Sequence, residues 1–105
     1  MLRDVYVAIA DPTRREILDL LKDRESVAAG EIASQFSHVS RPAVSRHLRI
    51  LRECGVVVSI KNGKNQKYTL NPNPIEEIRQ GWLKSFANKQ VTSLKALRGT
   101  AESER

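Results

Sequence analysis

Apolar residues recur along this chain at two spacings, and the change from one to the other divides it. Up to about residue 54 they return every three or four positions, the period of an α-helix. Leu2, Val5, Tyr6 and Ile9 make one such stripe, Ile17, Leu18 and Leu21 a second, Ile32, Ala33 and Phe36 a third, and Val44, Leu48 and Leu51 a fourth. Punctuation residues separate the stripes. The first helix is expected over about residues 2–10 and the third over about 29–36. Asp11-Pro12 opens the second, with Asp as N-cap and Pro at the first helical position, where its missing N–H is no loss. Ser40 caps the fourth, with Pro42 in its first turn and Gly55 as its stop.

After Gly55 the period becomes alternating. "VVVSIK", "NGK" and "NQKYTL" predict two strands joined at Asn62-Gly63, a dipeptide that tolerates the positive φ of a tight hairpin turn. "NPNP" then breaks the chain. A long amphipathic helix follows over about 74–98, with Ile75, Ile78, Trp82 and Phe86 apolar and Val91, Leu94 and Leu97 less regularly placed. "GTAESER", residues 99–105, reads as a disordered tail. No repeat is present.

Two short helices joined by the turn "SHV", followed by a basic hairpin, predict a winged helix-turn-helix: mainly α with a small β-hairpin wing, an α+β fold. At about 100° per residue from Val44, Leu48 lies near 40° and Leu51 near −20°, so these three face the core. Arg41, Pro42, Ser45, Arg49 and Arg52 fall between about 60° and 160°, with Arg46 near 200°. All of them point away from the core. Arg41, Ser45 and Arg46 lie toward the N-terminal end, which a recognition helix presents to base edges, whereas Arg49 and Arg52 sit where phosphates pass.

Charge sharpens that picture. The chain has 105 residues and a net charge of +6, and its isoelectric point of about 9.9 is in the range of small nucleic-acid-binding domains. Residues 39–67 carry seven basic side chains, Arg41, Arg46, Arg49, Arg52, Lys61, Lys64 and Lys67, against Glu53 alone. That segment therefore holds a net charge equal to the whole protein's. A solvated helix face normally mixes the two signs, so a polyanionic partner, double-stranded DNA, is expected against this one. Length supports one domain, residues 1–98 including the last helix. No run of 18 apolar residues occurs and Met1-Leu2-Arg3-Asp4 does not begin a signal peptide, so a cytoplasmic location and no membrane partner are expected. A lone cysteine, Cys54, forms no internal disulfide and fits a reducing compartment.

"ADPTRREILDLL", "SRPAVSRHLRILRECGVV" and "KNGKNQKYTL", in this order, resemble the arsenical-resistance-repressor (ArsR) family of bacterial winged-helix regulators, over roughly residues 5–86. The resemblance implies a homodimeric transcriptional repressor that binds an imperfect inverted repeat, with the first and last helices as its interface. Val5, Tyr6, Ile9, Ile78, Trp82 and Phe86 are the interface candidates. By motif position the base-reading residues carry over to Arg41, Pro42, Ser45 and Arg46, and the wing contacts to Lys61, Lys64 and their neighbours Asn65 and Lys67. Metal-sensing members carry Cys-x-Cys where this chain has Ala28, Ala29 and Gly30. Others ligate zinc from the last helix, but residues 74–98 contain no histidine and only Glu76 and Glu77 as acids. The expectation is thus the metal-independent branch, with no cofactor and with a protein or small molecule as inducer. Ala28 also replaces a customary Thr or Ser cap, weakening that helix start by about 1 kcal/mol.

Other residues have plainer readings. Cys54 is expected as a small packed apolar residue, and His47, near −60° on the Val44 scale, as a packed, hydrogen-bonded one. His38 sits in the turn, near phosphate or solvent. Trp82 and Phe86 serve a dimer core rather than an effector pocket, although a repressor gated by a small hydrophobic effector is an alternative. A winged helix used only for protein contacts is another. It would not need so much positive charge on helix and wing. Two histidines and scattered acids assemble no catalytic constellation, so the protein is not expected to be an enzyme.

Overall fold

In a computed structural model, which describes residues 3–87, the helices begin where side chains can cap them. Helix α1 (Val5–Ala10) starts at Asp4, whose carboxylate accepts the Tyr6 N–H at 2.8 Å. That cap starts the helix later than the expected residue 2. Helix α2 (Pro12–Lys22) starts at Asp11, whose Oδ2 accepts the Arg14 N–H at 3.0 Å. A short strand β1 (Val27–Ala28) precedes helix α3 (Ala29–Gln35), whose N-cap Ala28 makes no side-chain bond. Helix α4 (Arg41–Glu53) is capped by Ser40, which accepts the Ala43 N–H at 3.2 Å.

Helix α4 ends in a Schellman arrangement. The Gly55 N–H donates to Arg52 O at 3.0 Å and the Val56 N–H to Leu51 O at 3.3 Å, with Gly55 at φ 78°, a conformation that suits glycine. Leu51 and Val56, the pair that accompanies such a stop, are both buried. Asn71 fastens this corner to the sheet, donating from its side chain to Gly55 O and from its backbone to Val56 O, both at 2.8 Å.

Strands β2 (Val57–Asn62) and β3 (Asn65–Leu70) form the antiparallel wing, and β1 pairs with β3, giving the order β1-β3-β2. Pairing of Asn62 with Asn65 leaves Gly63 and Lys64 as the turn, one residue later than the expected Asn62-Gly63. Only Gly63 has positive φ, 64°, as in a type II′ turn, which requires it at the first central position alone. Lys64 therefore occupies the tip without strain.

Contacts divide the chain into two units, Met1–Pro74 and Ile75–Arg105. The first has a core of Ala8, Ile17, Leu18, Leu21, Val27, Ile32, Phe36, Val44, Leu48, Leu51, Cys54, Val56, Val57 and Tyr68. The stripes of α2, α3 and α4 and the inner face of the sheet supply most of it; α1 contributes Ala8, whereas the expected stripe residues Val5, Tyr6 and Ile9 stay half-buried or exposed. Helix α5 (Asn73–Ile78) crosses the boundary, and the second unit continues as a π-helical turn (Arg79–Leu83), then as helix over residues 84–87. That turn interrupts the uniform 3.6-residue period expected there. Val91, Leu94, Leu97 and the expected tail lie outside the described residues, as does Leu2. Among the described residues no helix is long and apolar enough to cross a membrane.

Candidate nucleic-acid interface

With Val44, Leu48 and Leu51 buried, the opposite face of α4 is turned to solvent. Arg41, Pro42, Ser45, Arg46 and Arg49 are all exposed there, and Ser40, Pro42, Ala43 and Arg46 line a shallow depression at the helix start. Lys61, Lys64, Asn65 and Lys67 are exposed on the wing. Arg52 also reaches the wing, its Nη1 donating to Ser59 Oγ at 3.4 Å.

Most other basic side chains among the described residues are already engaged. Arg3 pairs with Glu53 at 2.6 Å, Arg24 with Glu31 at 2.9 Å, Lys22 with Asp19 at 3.4 Å and Arg79 with Glu76 at 2.6 Å. Arg15 donates to Ile9 O at 2.6 Å, and Arg14 to Val7 O. By contrast, Arg41, Arg46, Arg49, Lys61, Lys64 and Lys67 make no ion pair or side-chain hydrogen bond among the described residues, as does Lys84 outside the site. Glu53, the one acid of α4, is taken up by Arg3 and does not neutralise the outer face.

Sequence reasoning missed one cluster behind that face. Arg14 donates from Nε and Nη2 to Val7 O at 3.2 and 2.9 Å, and its Nη1 lies 3.2 Å from His47 Nδ1. His47 Nε2 faces Asp11 Oδ2 at 4.0 Å. Burial pushes the His47 imidazole below its ordinary 6.5, and the Arg14 and Arg46 charges push the same way against Asp11. Burial would raise the Asp11 carboxyl, but the Arg14 N–H and the charges of His47 and Arg14 outweigh it and leave it below 3.8. His47 is therefore packed and bonded, as its position on the helix suggested. His38 is exposed, its ring centroid 6.2 Å from that of Phe36.

Cys54 is fully buried and its thiol is pushed up by burial, so it is no reactive thiolate. Among the described residues no three His, Cys, Asp or Glu side chains gather to hold a metal. Of the interface candidates, Val5 and Ile9 are half-buried and Tyr6 is 39% exposed. Trp82 and Phe86 are 58% and 42% exposed and stack edge to face, ring centroids 4.9 Å apart. Ile78 is already covered in the single chain, at 9%.

A helix-turn-helix whose second helix bears unengaged arginines, followed by a lysine-tipped wing, defines a winged-helix DNA-binding regulator. The pattern of bacterial regulatory proteins of the arsR family matches residues 11–59. The chain is 40% identical over 88 residues to the transcriptional repressor SdpR of Bacillus subtilis, covering 84% of this chain and 94% of that one. It is 39% identical over 74 residues to the HTH-type transcriptional regulator Rv2034 of Mycobacterium tuberculosis, covering 70% and 67%. Its fold is similar to the crystal structure of a possible transcriptional regulator for arsenical resistance, with a TM-score of 0.74, 33% identity, and 90% and 95% of the two chains covered. The chain belongs to the arsR family of bacterial regulatory proteins, which are DNA-binding transcriptional regulators and not enzymes.

Proposed function

We propose that the protein is a repressor that binds an inverted-repeat operator as a homodimer, without sensing metal. The observation that carries this reading is the set of cations left without partners among the described residues, Arg41, Arg46 and Arg49 on α4 and Lys61, Lys64 and Lys67 on the wing. Arg41 and Arg46, with Ser45 between them, read base edges, because the arginine fork meets O6 and N7 of a guanine together. Pro42 packs beside them, and Arg49 with the wing residues Lys61, Lys64, Asn65 and Lys67 meets the phosphate backbone. The similarity to a transcriptional repressor supports repression as the outcome.

Dimerisation is supported by the apolar exposure of the terminal helices, Val5, Tyr6 and Ile9 on α1 and Trp82 and Phe86 beyond α5; Ile78, the remaining candidate, is buried. A two-fold pair sets two recognition helices about one DNA turn, roughly 34 Å, apart. On this reading residues 1–98 act as one DNA-binding domain. Ala28, Ala29 and Gly30 supply no thiolate, so the releasing signal is a protein or small molecule. Enrichment of random duplexes on the purified protein tests the reading. An inverted repeat with half-sites one turn apart is the expected product; a single asymmetric site, or no enrichment, refutes it.

A further inference from the structure

Helix α1 is six residues long, and its last carbonyls have no partners within the helix. The Arg14 side chain fills part of that need at Val7 O, while the third donor direction of the same guanidinium meets His47 on α4. One planar group thus ties α1 and α2 to the recognition helix. His47 stands next to Arg46, so the contact lies directly behind the proposed base-reading face.

The geometry also fixes where the histidine proton sits. Arginine only donates, so a Nδ1 atom 3.2 Å from Arg14 Nη1 must be bare and must accept. Neutral His47 therefore carries its proton on Nε2, toward Asp11. A second proton can only go to Nδ1, which turns an acceptor into a donor pointing at a guanidinium. The bond is lost and two cations face each other. Asp11 at the N-cap of α2 attracts the new charge, but Arg14 on α2 and Arg46 on α4 repel it, and the Val7 carbonyl of α1 already accepts from Arg14.

We propose that Arg14 and His47 form a proton-sensitive latch that sets the pose of α4 on DNA, so that protonating His47 lowers the preference for operator over random sequence. This rests on the reading of α4 as the base-reading helix. His47 acts here as a positioning residue. Its added positive charge would by itself strengthen attachment to any phosphate backbone, so the latch predicts that affinity for random DNA holds or rises while selectivity falls. A simple loss of folding predicts that both fall together.

The test uses a duplex enriched on the protein at about pH 7.5 and a scrambled duplex of the same composition, with affinities read by fluorescence anisotropy down to about pH 5 at constant ionic strength. The His47 imidazole resonances are followed in parallel, and helicity is recorded in every sample. The operator-to-scrambled ratio is expected to fall about tenfold as His47 titrates, the worth of one hydrogen bond to a charged group. His47→Gln keeps an acceptor for Arg14 but cannot titrate, so its ratio stays level with pH. Arg14→Lys keeps the charge but cannot bridge Val7 O and His47, so its ratio is low throughout. An unchanged ratio across the His47 titration overturns the latch, as does a His47 that never titrates in this range, or an equal fall in His47→Gln. Failure to enrich any duplex at pH 7.5 overturns the interface beneath it, a different result from selection that ignores pH.

Discussion

Replacing Lys64 by alanine separates what the wing reads from what the recognition helix reads. Lys64 stands at the hairpin tip, exposed and without an acidic partner among the described residues. A flexible point charge there neutralises phosphate and carries no sequence information. If Arg49, Lys61, Lys64 and Lys67 each meet one phosphate, the logarithm of affinity falls against that of salt with a slope of about −3.6 per bound chain. Over a fourfold rise in salt that is a loss of about 150-fold; with Lys64 gone it shrinks to about 40-fold. Arg46→Ala should behave differently, losing about 1–3 kcal/mol on the selected duplex and relaxing preference at one base pair per half-site. Both variants are measured by anisotropy on selected and scrambled duplexes across a salt series. An Arg46→Ala variant that loses equally on both duplexes, beside a Lys64→Ala variant that loses only on the selected one, would refute the assignment and give specificity to the wing.

Four further outcomes follow from particular residues. Asp11→Ala removes the cap on the Arg14 N–H and should lower stability by about 1 kcal/mol, or Tm by roughly 4–8 °C in thermal circular dichroism, whereas Asp11→Asn keeps most of the cap. Because the folded Asp11 carboxyl lies below its ordinary value and the folded His47 imidazole below 6.5, both contribute stability that is present at neutral pH and lost on acidification, His47 first. Ala28→Ser supplies the missing cap of α3 at a residue already extended (φ −68°, ψ 147°), and should raise stability by about 1 kcal/mol in urea titration. Zinc, cadmium or arsenite should leave operator affinity unchanged in anisotropy titrations; a stoichiometric tenfold loss would reveal ligands that Ala28, Ala29 and Gly30 do not provide.

The parts of the fold that local chemistry decides were legible in the residues. Ser40 with Pro42, Asp11 with Pro12 and the glycine at position 55 mark helix ends because each satisfies or spares backbone groups at its own position. The spacing of Val44, Leu48 and Leu51 in turn located the outward arc of arginines. Strand β1 escaped notice because two residues display no period; what makes it a strand is Val27 lying opposite Tyr68, 41 positions later. The hairpin turn moved by one residue because a type II′ turn needs one positive φ and Gly63 alone provides it. The π-helical turn at Arg79–Leu83 adds a residue to the helix period, which an apolar stripe read at a constant 3.6 does not register. Arg14 gave no signal, since an arginine in the first turn of an amphipathic helix looks solvated until its partner, 33 residues away, is in place.

On the proposed reading, the division of labour among the basic residues lets a charged helix bind DNA without first breaking bonds within the protein. Arg3, Arg14, Arg15 and Arg24 have their donors committed to carboxylates, a ring nitrogen and helix-end carbonyls. Reaching a phosphate would cost each of them a bond already made. Among the described residues Arg41, Arg46 and Arg49 have no such bond to lose, and their helix is held from behind by the buried Val44, Leu48 and Leu51 and at its end by Arg3 on Glu53. Less ordering is then left for the complex to do. The same arrangement gathers positive charge on one exposed face of α4, and on the proposed reading the DNA backbone supplies its counter-charge. Glu53, the acid that could offset this charge, is taken up by Arg3 instead, so on the proposed reading the neutralising partner of the arginine arc is DNA phosphate.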